Sequence, residues 1–564
     1  MKKIIECVPN FSEGRNMDII HQITQEIEKI EGVKLLDVDP GVTTNRTVVT
    51  FAGTPDEVCE AAFQCIKKAQ MLIDMSKHKG DHPRFGATDV CPLVPVANIT
   101  MEETILYARK LAQRVGSELN IPVYCYEYAA FEEKRCNLAN CRQGEYEGLS
   151  KKLVNPEWSP CFGPVSFTES VKKSGATAIG ARDFLVAVNY NLNTTSIRRA
   201  NAIAFDVREK GRPKREGNPI TGKIIKDNEG NTINIPGTLK ATKAIGWYIP
   251  EYGIAQVSMN LTDISVTPLH IAFDEVSRCA QNRGIRVSGC EIVGLVPKKV
   301  LIDAGKYYLE KQHRSVGISE EEIIKIAVKS MGLDDLKPFN PNEKIIEYLL
   351  ETEKSRPKLV DMSCKSFADE TASESPAPGG GSISAYLGAL GAALGTMVAN
   401  LSAHKSGWDE RWKEFSDWAE KGQKIKNELL FLVDEDTQSF NKIMDAFSMP
   451  KANEEQKQLR SQAIQEATKY AIEVPYKTMR KAFEAFELCN SMVDTGNPNS
   501  VSDAGVGALC VRSAVMGAYL NVKINAASLK DKGFVNDILQ KAEDLLTETK
   551  KAEEMILSKI MDKL

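Results

Sequence analysis

The sequence contains few of the signatures on which functional assignment usually relies. Only 6 of its 564 residues are histidine, and no Cys-x-x-Cys pair occurs among its 13 cysteines. It also has no Gly-x-Ser-x-Gly elbow, no His-Glu-x-x-His pair, and no glycine loop followed by Lys-Ser or Lys-Thr. These absences argue against a nucleophile-elbow hydrolase, a zinc peptidase and a P-loop nucleotide enzyme.

The overall composition indicates which binding partners and which cellular compartment to expect. A net charge of −4 gives no general attraction to nucleic acid. The cysteines are scattered and mostly embedded in apolar runs, as at Cys7 and Cys91, which is typical of reduced, cytoplasmic proteins. Glu6 and Pro9 interrupt the apolar run at the start of the chain, so we expect no signal peptide. Small molecules and further copies of the chain are the expected partners.

The first 300 or so residues predict an α/β fold. Short β-branched runs at 4–8, 33–39, 46–51 and 90–96 alternate with amphipathic helices near 16–30 and 55–75. The same order, strand-helix-strand-strand-helix-strand, recurs from Phe184, which predicts two split β-α-β units. Residues 212–240 lie between elements of the second unit and predict an exposed hairpin insertion.

The remainder of the chain predicts a helical domain. After a polar, proline-bearing stretch, long amphipathic helices continue to the C-terminus. We therefore expect two ferredoxin-like α/β subdomains followed by a helical bundle. The predicted boundaries are 1–181 and 182–335 for the two α/β subdomains, 336–357 for a linker and 358–564 for the all-helical domain.

The stretch 375–402 combines a proline-bounded turn, three glycines, a serine and a helix of small residues. Glycines that open a helix present free backbone N–H groups at its positive end, so Gly379, Gly380 and Gly381 predict a cradle for a carboxylate or phosphate. The alternative is a flexible glycine linker that ends in Ser382 as an N-cap. The small residues of the uncharged helix that follows indicate tight packing in a bundle. Gly, Ser, Thr and Asn lower the hydrophobicity of this helix, which disfavours a membrane span.

Asp436 lies on the apolar stripe of a predicted helix over 409–447. It is four residues after Leu432 and four before Phe440, so its carboxylate points toward the core. A carboxylate on an apolar face is costly unless it is paired, protonated or used in chemistry. The residue is therefore either an acid/base group with a raised pKa or a structural partner of an Asn or Arg.

Several asparagines punctuate a second helix of small residues near the C-terminus. Asn521 and Asn525 are one turn apart on one helix face, and Asn497 precedes the helix. Buried amides of this kind often join helices, but they also suit a ligand with pterin-like hydrogen-bonding edges.

The loop over 78–96 carries the main candidate chemistry of the N-terminal half. It places His78 and His82 among Asp, Arg, Gly and Pro residues, a pattern typical of a site on a loop. Gly80 and Pro83 break the helix that a two-histidine metal site would need, so we expect no metal. The loop predicts that a histidine acts as a general base near neutral pH. The alternative is a histidine that a structural Asp holds in place.

Further loops supply groups that suit an acidic substrate. Arg46, Arg84 and Arg182 are the candidates for binding substrate carboxylates. Asp39 and Asn45 accompany Arg46 on its loop. Together these residues indicate an acyl-type transfer site without an obvious serine or cysteine nucleophile.

Six segments resemble one known family. They are ECVPNFSEGRN, DVDPGVTTNRTV, HKGDHPRFGATDVCPLVPV, AIGWYI, SPAPGGGS and LVDEDTQSF, and they resemble the bifunctional formimidoyltransferase-cyclodeaminases of histidine and folate metabolism. The resemblance covers nearly the whole chain. It implies transfer of the formimino group from N-formimino-L-glutamate to tetrahydrofolate, followed by closure to 5,10-methenyltetrahydrofolate with release of ammonia.

The resemblance also implies roles for particular residues. His82 matches the transferase base and Asp436 the acid/base of the cyclodeaminase. The folate-binding loop corresponds to 163–175, and the substrate-binding set on this account is Asp39, Asn45, Arg46, Arg84, Gly163, Pro164, Val165, Ser166, Gly175, Ala176, Arg182, Gly379, Gly380, Gly381, Ser382, Asn497, Asn521 and Asn525. The resemblance further implies that polyglutamylated tetrahydrofolate is the co-substrate and that no metal takes part. It also implies a homo-oligomer, which is octameric in this family. The rival hypothesis is a self-assembling, folate-binding helical scaffold that has lost one or both activities.

Overall fold

The computed structural model describes residues 3–41, 45–80, 84–217, 222–351 and 358–564. The chain divides into two compact units. One, the sheet unit, comprises Met1–Leu301 and Met331–Glu353; the other, the helical unit, comprises Ile302–Ser330 and Lys354–Leu564.

A seven-stranded mixed sheet forms the first half of the sheet unit. Its strands are β1 (Ile4–Cys7), β2 (Asn10–Phe11), β3 (Val33–Gly41), β4 (Arg46–Gly53), β5 (Thr88–Ala97), β6 (Val123–Glu127) and β7 (Thr177–Ala181). β1 and β2 lie end to end between β4 and β5, β3 pairs with the outer side of β4, and β7 and β6 extend the other side in parallel. The helices of this half are α1 (Met17–Glu28), α2 (Pro55–Leu72), α3 (Met101–Leu119), α4 (Leu138–Arg142), α5 (Glu145–Leu153) and α6 (Glu169–Ser174).

A four-stranded antiparallel sheet forms the second half. Its strands are β8 (Val186–Leu192), β11 (Thr242–Ile249), β12 (Ile254–Leu261) and β13 (Val287–Val293), in the order β11-β12-β8-β13. The accompanying helices are α7 (Ile197–Val207) and α8 (Leu269–Gln281). This order is that of a β-α-β-β-α-β unit, and the predicted pair of split β-α-β folds is therefore confirmed.

The predicted insertion at 212–240 forms an exposed hairpin in its described part. The short strands β9 (Arg212–Pro213) and β10 (Asn234–Ile235) pair at its base. At its tip Asp227 accepts hydrogen bonds from the backbone N–H groups of Glu229 and Asn231, and Gly230 adopts a φ of +86°. Local turn chemistry therefore sets the shape of the hairpin.

Helices α9 to α12 follow β13 and precede the helical bundle. They are α9 (Lys298–Lys311), α10 (Glu320–Met331), α11 (Pro341–Lys344) and α12 (Ile346–Glu351). The bundle itself consists of α13 (Cys364–Thr371), α14 (Gly380–Ala403), α15 (Trp412–Ser448), α16 (Glu454–Thr495), α17 (Val501–Ala526) and α18 (Lys532–Met561).

Helix α14 is the centre of the bundle, as its small residues predict. It contacts α15, α16 and α17. A Cβ atom on Gly388 would lie 3.2 Å from side-chain atoms of Leu429 on α15 and Ala482 on α16, and one on Gly391 would lie 2.7 Å from the Gly507 carbonyl oxygen on α17. Glycine therefore allows three neighbouring helices to approach α14 closely.

The apolar stripe of α15 is buried only in part. Leu429, Leu432 and Val433 are buried, whereas Phe440, Met444 and Phe447 are 42–52% exposed. Leu429 lies beside Gly388 and Asp436 beside Gly381, so α15 runs antiparallel to α14 and its last three turns extend past the start of α14. The second half of the stripe is therefore exposed in the chain.

In the described part of the chain, two helical segments are long and apolar enough to cross a membrane by length and composition. They are Gly380–Ala403 and Pro498–Ala526. In the bundle, 61% and 50% of their most apolar windows are buried, and core helices of soluble proteins pass the same test. This property is weak evidence for a membrane span.

Candidate active sites

The glycine stretch of the helical unit forms the first turn of α14. The chain enters through a cis Ala377–Pro378 bond, and Gly379 stands in extended conformation at the N-cap. Gly380, Gly381 and Ser382 then begin the helix. The flexible-linker alternative is thereby excluded for these residues, since they are helical and Ser382 lies inside the first turn.

The carboxylate of Asp436 lies directly against this turn. The Ser382 hydroxyl is 3.1 Å from Asp436 Oδ2 and 2.9 Å from the Val433 carbonyl oxygen. A side chain at Gly381 would overlap both carboxylate oxygens. The anion at the positive end of α14 is therefore the protein's own Asp436, held where the helix dipole and free N–H groups favour negative charge.

Opposing effects act on the protonation of Asp436. Burial raises the pKa of the carboxyl group above its ordinary value, and hydrogen bonds from the hydroxyl and backbone N–H of Ser382 oppose the rise. Ser382 has one hydroxyl proton, which it can donate to Val433 while it accepts a hydrogen bond from protonated Asp436. The site can therefore hold Asp436 in either protonation state, as a proton shuttle requires.

Two further polar groups lie at the first turn of α14. Thr437 places its hydroxyl oxygen 3.4 Å from that of Ser382. Asn521 donates from Nδ2 to the Gly517 carbonyl oxygen at 2.9 Å, and a Cβ atom on Gly380 would lie 3.3 Å from the same nitrogen. Sequence reasoning missed Thr437, although its position next to Asp436 could have suggested it.

The structure separates the three predicted asparagines. Asn521 lies at the start of α14, beside Gly380. Asn525 donates to the Ala471 carbonyl oxygen at 2.7 Å and so joins α17 to α16, as the structural alternative predicts. Asn497 donates its backbone N–H to the Ser402 hydroxyl at the far end of α14, roughly 30 Å from Gly380 along the helix. Of these three asparagines, Asn521 alone lies at the first turn of α14, the turn against which Asp436 packs.

In the sheet unit, the described part of the 78–96 loop fixes His78 in its neutral form. Its Nε2 lies 2.9 Å from the Asn45 carbonyl oxygen, and Arg84 Nε donates to its Nδ1 at 3.3 Å. Nε2 therefore carries the proton and Nδ1 is the acceptor. Burial, and then the charge of Arg84, lower the pKa of His78. These contacts hold the His78 ring between the Asn45 backbone and Arg84, and His82 lies outside the described residues.

Arg84 is already paired with carboxylates of the protein. It donates to both oxygens of Glu147, at 3.0 and 2.8 Å, and it lies 3.4 Å from Glu145. The Glu147 hydrogen bond is the main reason that its pKa is raised. Arg84 therefore joins the loop to α5. The sequence did not reveal this ion pair.

Asn45 connects three loops around the same position. Its Oδ1 accepts from the Gly14 N–H and its Nδ2 donates to the Lys79 carbonyl oxygen, each at 3.0 Å. Arg46 follows it on β4 and is half-buried. Burial lowers the pKa of Arg46, and the charge of Asp89 opposes this change only in part. Asp39, exposed near the end of β3, adds a smaller attraction to Arg46.

The loop that precedes β7 packs against the described part of the 78–96 loop. Ala176 donates its N–H to the Phe85 carbonyl oxygen at 2.9 Å, and a side chain at Gly175 would overlap that same oxygen. Gly175 also has a φ of +66°, so both space and conformation require glycine. The other predicted loop residues, Gly163, Pro164, Val165 and Ser166, form an exposed or half-exposed surface segment before α6.

Arg182 is not part of this cluster. It follows the C-terminal end of β7, whereas Gly175 precedes the N-terminal end, roughly 20 Å away along the strand. Its neighbours include Glu6, which is buried on β1 and whose pKa burial raises to about 7 against the charge of Arg182. Sequence reasoning missed Glu6 because a single Glu in a strand carries no local signal of burial.

Sequence reasoning also missed the ion pair behind the loop. Asp89 is fully buried and accepts from Arg142 at 3.2 and 2.5 Å, while the Phe85 N–H donates to it at 3.1 Å. Burial is the largest influence on the pKa of Asp89 and raises it. Among the residues that the structure describes, no cluster of three or more His, Cys, Asp or Glu side chains could hold a metal ion.

Comparison with known protein families matches three successive segments of the chain. Residues 4–182 match the formiminotransferase domain, N-terminal subdomain; 187–351 match the formiminotransferase domain; and 363–544 match the family described as formiminotransferase-cyclodeaminase. Formimidoyltransferase-cyclodeaminase of Gallus gallus is 42% identical over 558 residues, which cover 99% of both chains.

Two shorter relatives match separate parts of the chain. Glutamate formimidoyltransferase of Streptococcus pyogenes serotype M1 is 40% identical over 310 residues, 55% of this chain and 94% of its own. Methenyltetrahydrofolate cyclohydrolase of Methylorubrum extorquens is 36% identical over 200 residues, 36% of this chain and 96% of its own. The full-length identity and the three matched domains show that the chain belongs to the formimidoyltransferase-cyclodeaminase family.

Proposed function

We propose that this protein is a bifunctional folate enzyme of histidine degradation. The sheet unit transfers the formimino group of N-formimino-L-glutamate to N5 of tetrahydrofolate. The helical unit closes the product, 5-formiminotetrahydrofolate, to 5,10-methenyltetrahydrofolate and releases ammonia. Family membership supports both reactions.

The observation that carries the second activity is the contact between Asp436 and the first turn of α14. A half-buried carboxyl group whose pKa is raised by burial, and which is hydrogen-bonded to Ser382 in the first turn of α14, suits proton transfer. A scaffold that only bound folate would have no need of this costly group on an apolar stripe.

Cyclisation requires one proton to move between two nitrogen atoms. N10 of the folate attacks the formimino carbon, and the Asp436 carboxylate takes the proton that N10 loses. Asp436 then donates a proton to the terminal nitrogen, the bond from carbon to that nitrogen breaks, and ammonia leaves. General acid/base catalysis of this kind contributes roughly 10²- to 10⁴-fold to a rate.

Transfer in the sheet unit requires a base for the N5 proton and an acid for the departing glutamate nitrogen. His82 is our candidate for both roles. The described residues hold the ends of its loop, because His78 binds the Asn45 backbone and Arg84 binds Glu147. Arg46, half-buried next to Asn45, is our candidate in this cluster for binding a substrate carboxylate, whereas Arg182 lies at the other end of the strand.

A spectroscopic assay tests the function as a whole. Purified protein is incubated with N-formimino-L-glutamate and tetrahydrofolate, and the methenyl chromophore and ammonia are measured together. We expect both products in equal amounts. Binding of folate without either product would support the scaffold hypothesis instead.

An exposed apolar face of the helical unit indicates how copies of the chain assemble. Exposed apolar residues follow α14 and α17 at helical spacing; they are Leu390, Met397, Leu401, Val506, Leu509, Leu520 and Ile524. Two stripes, roughly 17 and 27 Å long and about 10 Å wide, cover about 440 Å², more than half of the roughly 800 Å² per partner of a stable interface. We propose that a second copy of the chain covers this face, within a homo-oligomer such as an octamer.

Light scattering tests this interface. Leu390→Ser combined with Leu509→Ser should lower the molar mass by dissociating one set of contacts. Leu106→Ser, at a position 67% exposed on α3, is the matched control and should leave the mass unchanged. An unchanged mass in the double variant would place the interface elsewhere.

The cofactor and compartment complete the proposal. Tetrahydrofolate, with a polyglutamate tail, is the co-substrate, and no metal takes part. The described cysteines are free thiols, which suits the reducing conditions of the cytoplasm.

A further inference from the structure

We propose that Cys161 is a modification site, whose thiolate reacts with peroxides and related soft electrophiles and whose oxidised form is resolved by the Cys125 thiol. The site is distinct from both activities. Only its effect on transfer, given below, rests on the proposed function.

Two N–H donors converge on the sulfur of Cys161. The backbone N–H of Cys125, on β6, lies 3.3 Å from Sγ, and Arg135 NH1 lies 3.1 Å from it. The residue that supplies the backbone donor, Cys125, also carries a thiol of its own. Two N–H donors on one sulfur stabilise a thiolate better than a thiol, which needs only one acceptor.

Arg135 is held in place to direct its charge at this sulfur. The residue is only 4% exposed, and its buried Nε has no hydrogen-bond partner among the described residues. Its guanidinium lies 5.8 and 6.0 Å from the ring centres of Tyr124 and Trp158, and its ion pair with Glu132 is at the surface. A buried cation with unfilled donor capacity is the environment that activates a cysteine.

The thiols near Arg135 differ in pKa and in exposure to solvent. Hydrogen bonds from Cys125, and then the charge of Arg135, lower the pKa of Cys161 to about 6. Burial raises the pKa of nearby Cys141 to about 11, although Lys152 and Arg135 both oppose the rise. Cys161 is also partly exposed, whereas Cys125 and Cys141 are buried, so a reagent can reach it first.

The chemistry balances with a peroxide as the oxidant. The Cys161 thiolate attacks one peroxide oxygen, an S–O bond forms, the O–O bond breaks, and the released hydroxide takes a proton to become water. The Cys125 sulfur then attacks the sulfenic sulfur, an S–S bond forms, and the hydroxyl leaves as water with the Cys125 proton. Two thiols are oxidised and one peroxide is reduced to two waters.

The site is adjacent to the proposed folate loop. Cys161 donates its N–H to the Val123 carbonyl oxygen at 2.8 Å, Val123 donates to the Phe162 carbonyl oxygen at 2.9 Å, and Gly163 follows. A bond from Cys161 to the buried strand β6 therefore pulls on the residue that begins the loop. We expect oxidation to lower the transferase activity and to spare the cyclodeaminase.

Alkylation by iodoacetamide tests the thiolate directly in the full-length protein. Labelling at each cysteine is measured by mass spectrometry between pH 5 and pH 9. At pH 6 a thiol of pKa about 6 is roughly 150-fold more ionised than an ordinary one, and its weaker nucleophilicity offsets about tenfold of this gain. Cys161 should therefore react about tenfold faster at pH 6 than Cys364, which is exposed.

Two variants separate this mechanism from simple exposure. Arg135→Gln should move the inflection of the Cys161 profile upward by a pH unit or more, and Arg135→Lys, which keeps the charge, should move it less. If Arg135→Gln does not fold, the Lys variant and the wild-type profile still decide the question. An inflection above pH 8 in the wild type, or slower labelling of Cys161 than of Cys364 at pH 6, would overturn the proposal.

Peroxide treatment tests the resolving thiol and the coupling to function. Wild-type protein should form a Cys125–Cys161 disulfide, lose transferase activity and recover it with dithiothreitol. Cys125→Ser should instead accumulate a sulfenic acid that dimedone traps, and Cys161→Ser should resist peroxide. A trapped sulfenic acid in the wild type, without a disulfide, would contradict the resolving role. A disulfide with unchanged transfer would contradict only the coupling to the folate loop.

Discussion

The carboxylate of Asp436 occupies the space into which any side chain at Gly381 would project. Glycine at one position and aspartate at the other are therefore a matched pair. Gly381→Ala should displace the carboxylate from Ser382 and reduce ammonia release by about 100-fold or more, the contribution of a well-placed acid/base group. The measurement is ammonia release from 5-formiminotetrahydrofolate.

A matched glycine controls for the substitution itself. Gly533 also lies in the first turn of a helix, and a Cβ atom there meets only Asp531 Oδ1 at 3.5 Å, an ordinary contact. Gly533→Ala should release ammonia at the wild-type rate. Full activity in Gly381→Ala would show that the position of the carboxylate is not critical.

Asp436→Asn should raise the stability of the helical unit at neutral pH. Burial raises the pKa of Asp436, so the folded state binds its proton more tightly than the unfolded state does. The wild type therefore loses stability as the pH rises from below the ordinary pKa of 3.8 through the raised value. The amide cannot ionise and avoids this loss.

Thermal unfolding at pH 3, below the ordinary pKa of 3.8, and at pH 7 measures this effect. The melting temperature of Asp436→Asn relative to the wild type should be higher at pH 7 than at pH 3. A variant that is less stable at both pH values would indicate that the residue is a structural partner.

Ser382→Ala should move the pH profile of cyclisation. The hydroxyl and the N–H of Ser382 oppose the raised pKa of Asp436, and the substitution removes the hydroxyl. A hydrogen bond to a charged group is worth about 1.5–3 kcal/mol, so the acid limb of the profile should move up by about one pH unit. An unchanged acid limb with a uniformly lower rate would assign that limb to another group.

His78→Asn should affect stability and spare the chemistry. Burial and Arg84 lower the pKa of His78, so the unfolded state binds more protons below pH 6.5 and the wild type loses stability as the pH falls through that value. The variant should lose less stability than the wild type between pH 7 and pH 5. Its transferase activity per folded molecule should remain near normal.

His82→Ala is the partner experiment in the same loop. It should abolish transfer and leave cyclisation of supplied 5-formiminotetrahydrofolate intact. If transfer instead persists in this variant and is lost in His78→Asn, the two assignments exchange.

Removal of the hairpin tip should be tolerated. Replacing residues 216–232 by two glycines keeps β9, β10 and the buried Leu239, which hold the base. Since exposed loops accept such changes, both activities should stay within about twofold of the wild type. Loss of assembly, measured by light scattering, would instead place the hairpin in a subunit interface.

The sequence allowed the elements to be predicted more fully than their contacts. The alternation of strands and helices was enough for both split β-α-β units, and the stripe on α15 was enough to mark Asp436. That Asp436 meets Ser382, 54 residues away, depends on the antiparallel packing of two helices, which local patterns do not encode. The same limit explains why Asn497 and Asn521 lie at opposite ends of the bundle.

Charged residues were the hardest to predict. Arg84 has the features of a residue that binds a substrate carboxylate, and its partner Glu147 is 63 residues away. Whether an arginine binds a substrate or its own protein depends on distances that exist only after folding. Residue identity alone therefore overestimates the number of substrate-binding arginines.

Ammonia release by Asp436→Asn tests the central claim most directly. The variant is supplied with N-formimino-L-glutamate and tetrahydrofolate, and 5-formiminotetrahydrofolate, ammonia and the methenyl chromophore are measured on a folded preparation. We predict that 5-formiminotetrahydrofolate accumulates at the wild-type rate of transfer while neither ammonia nor the chromophore appears. Ammonia release at the wild-type rate would contradict the account and remove Asp436 from the mechanism.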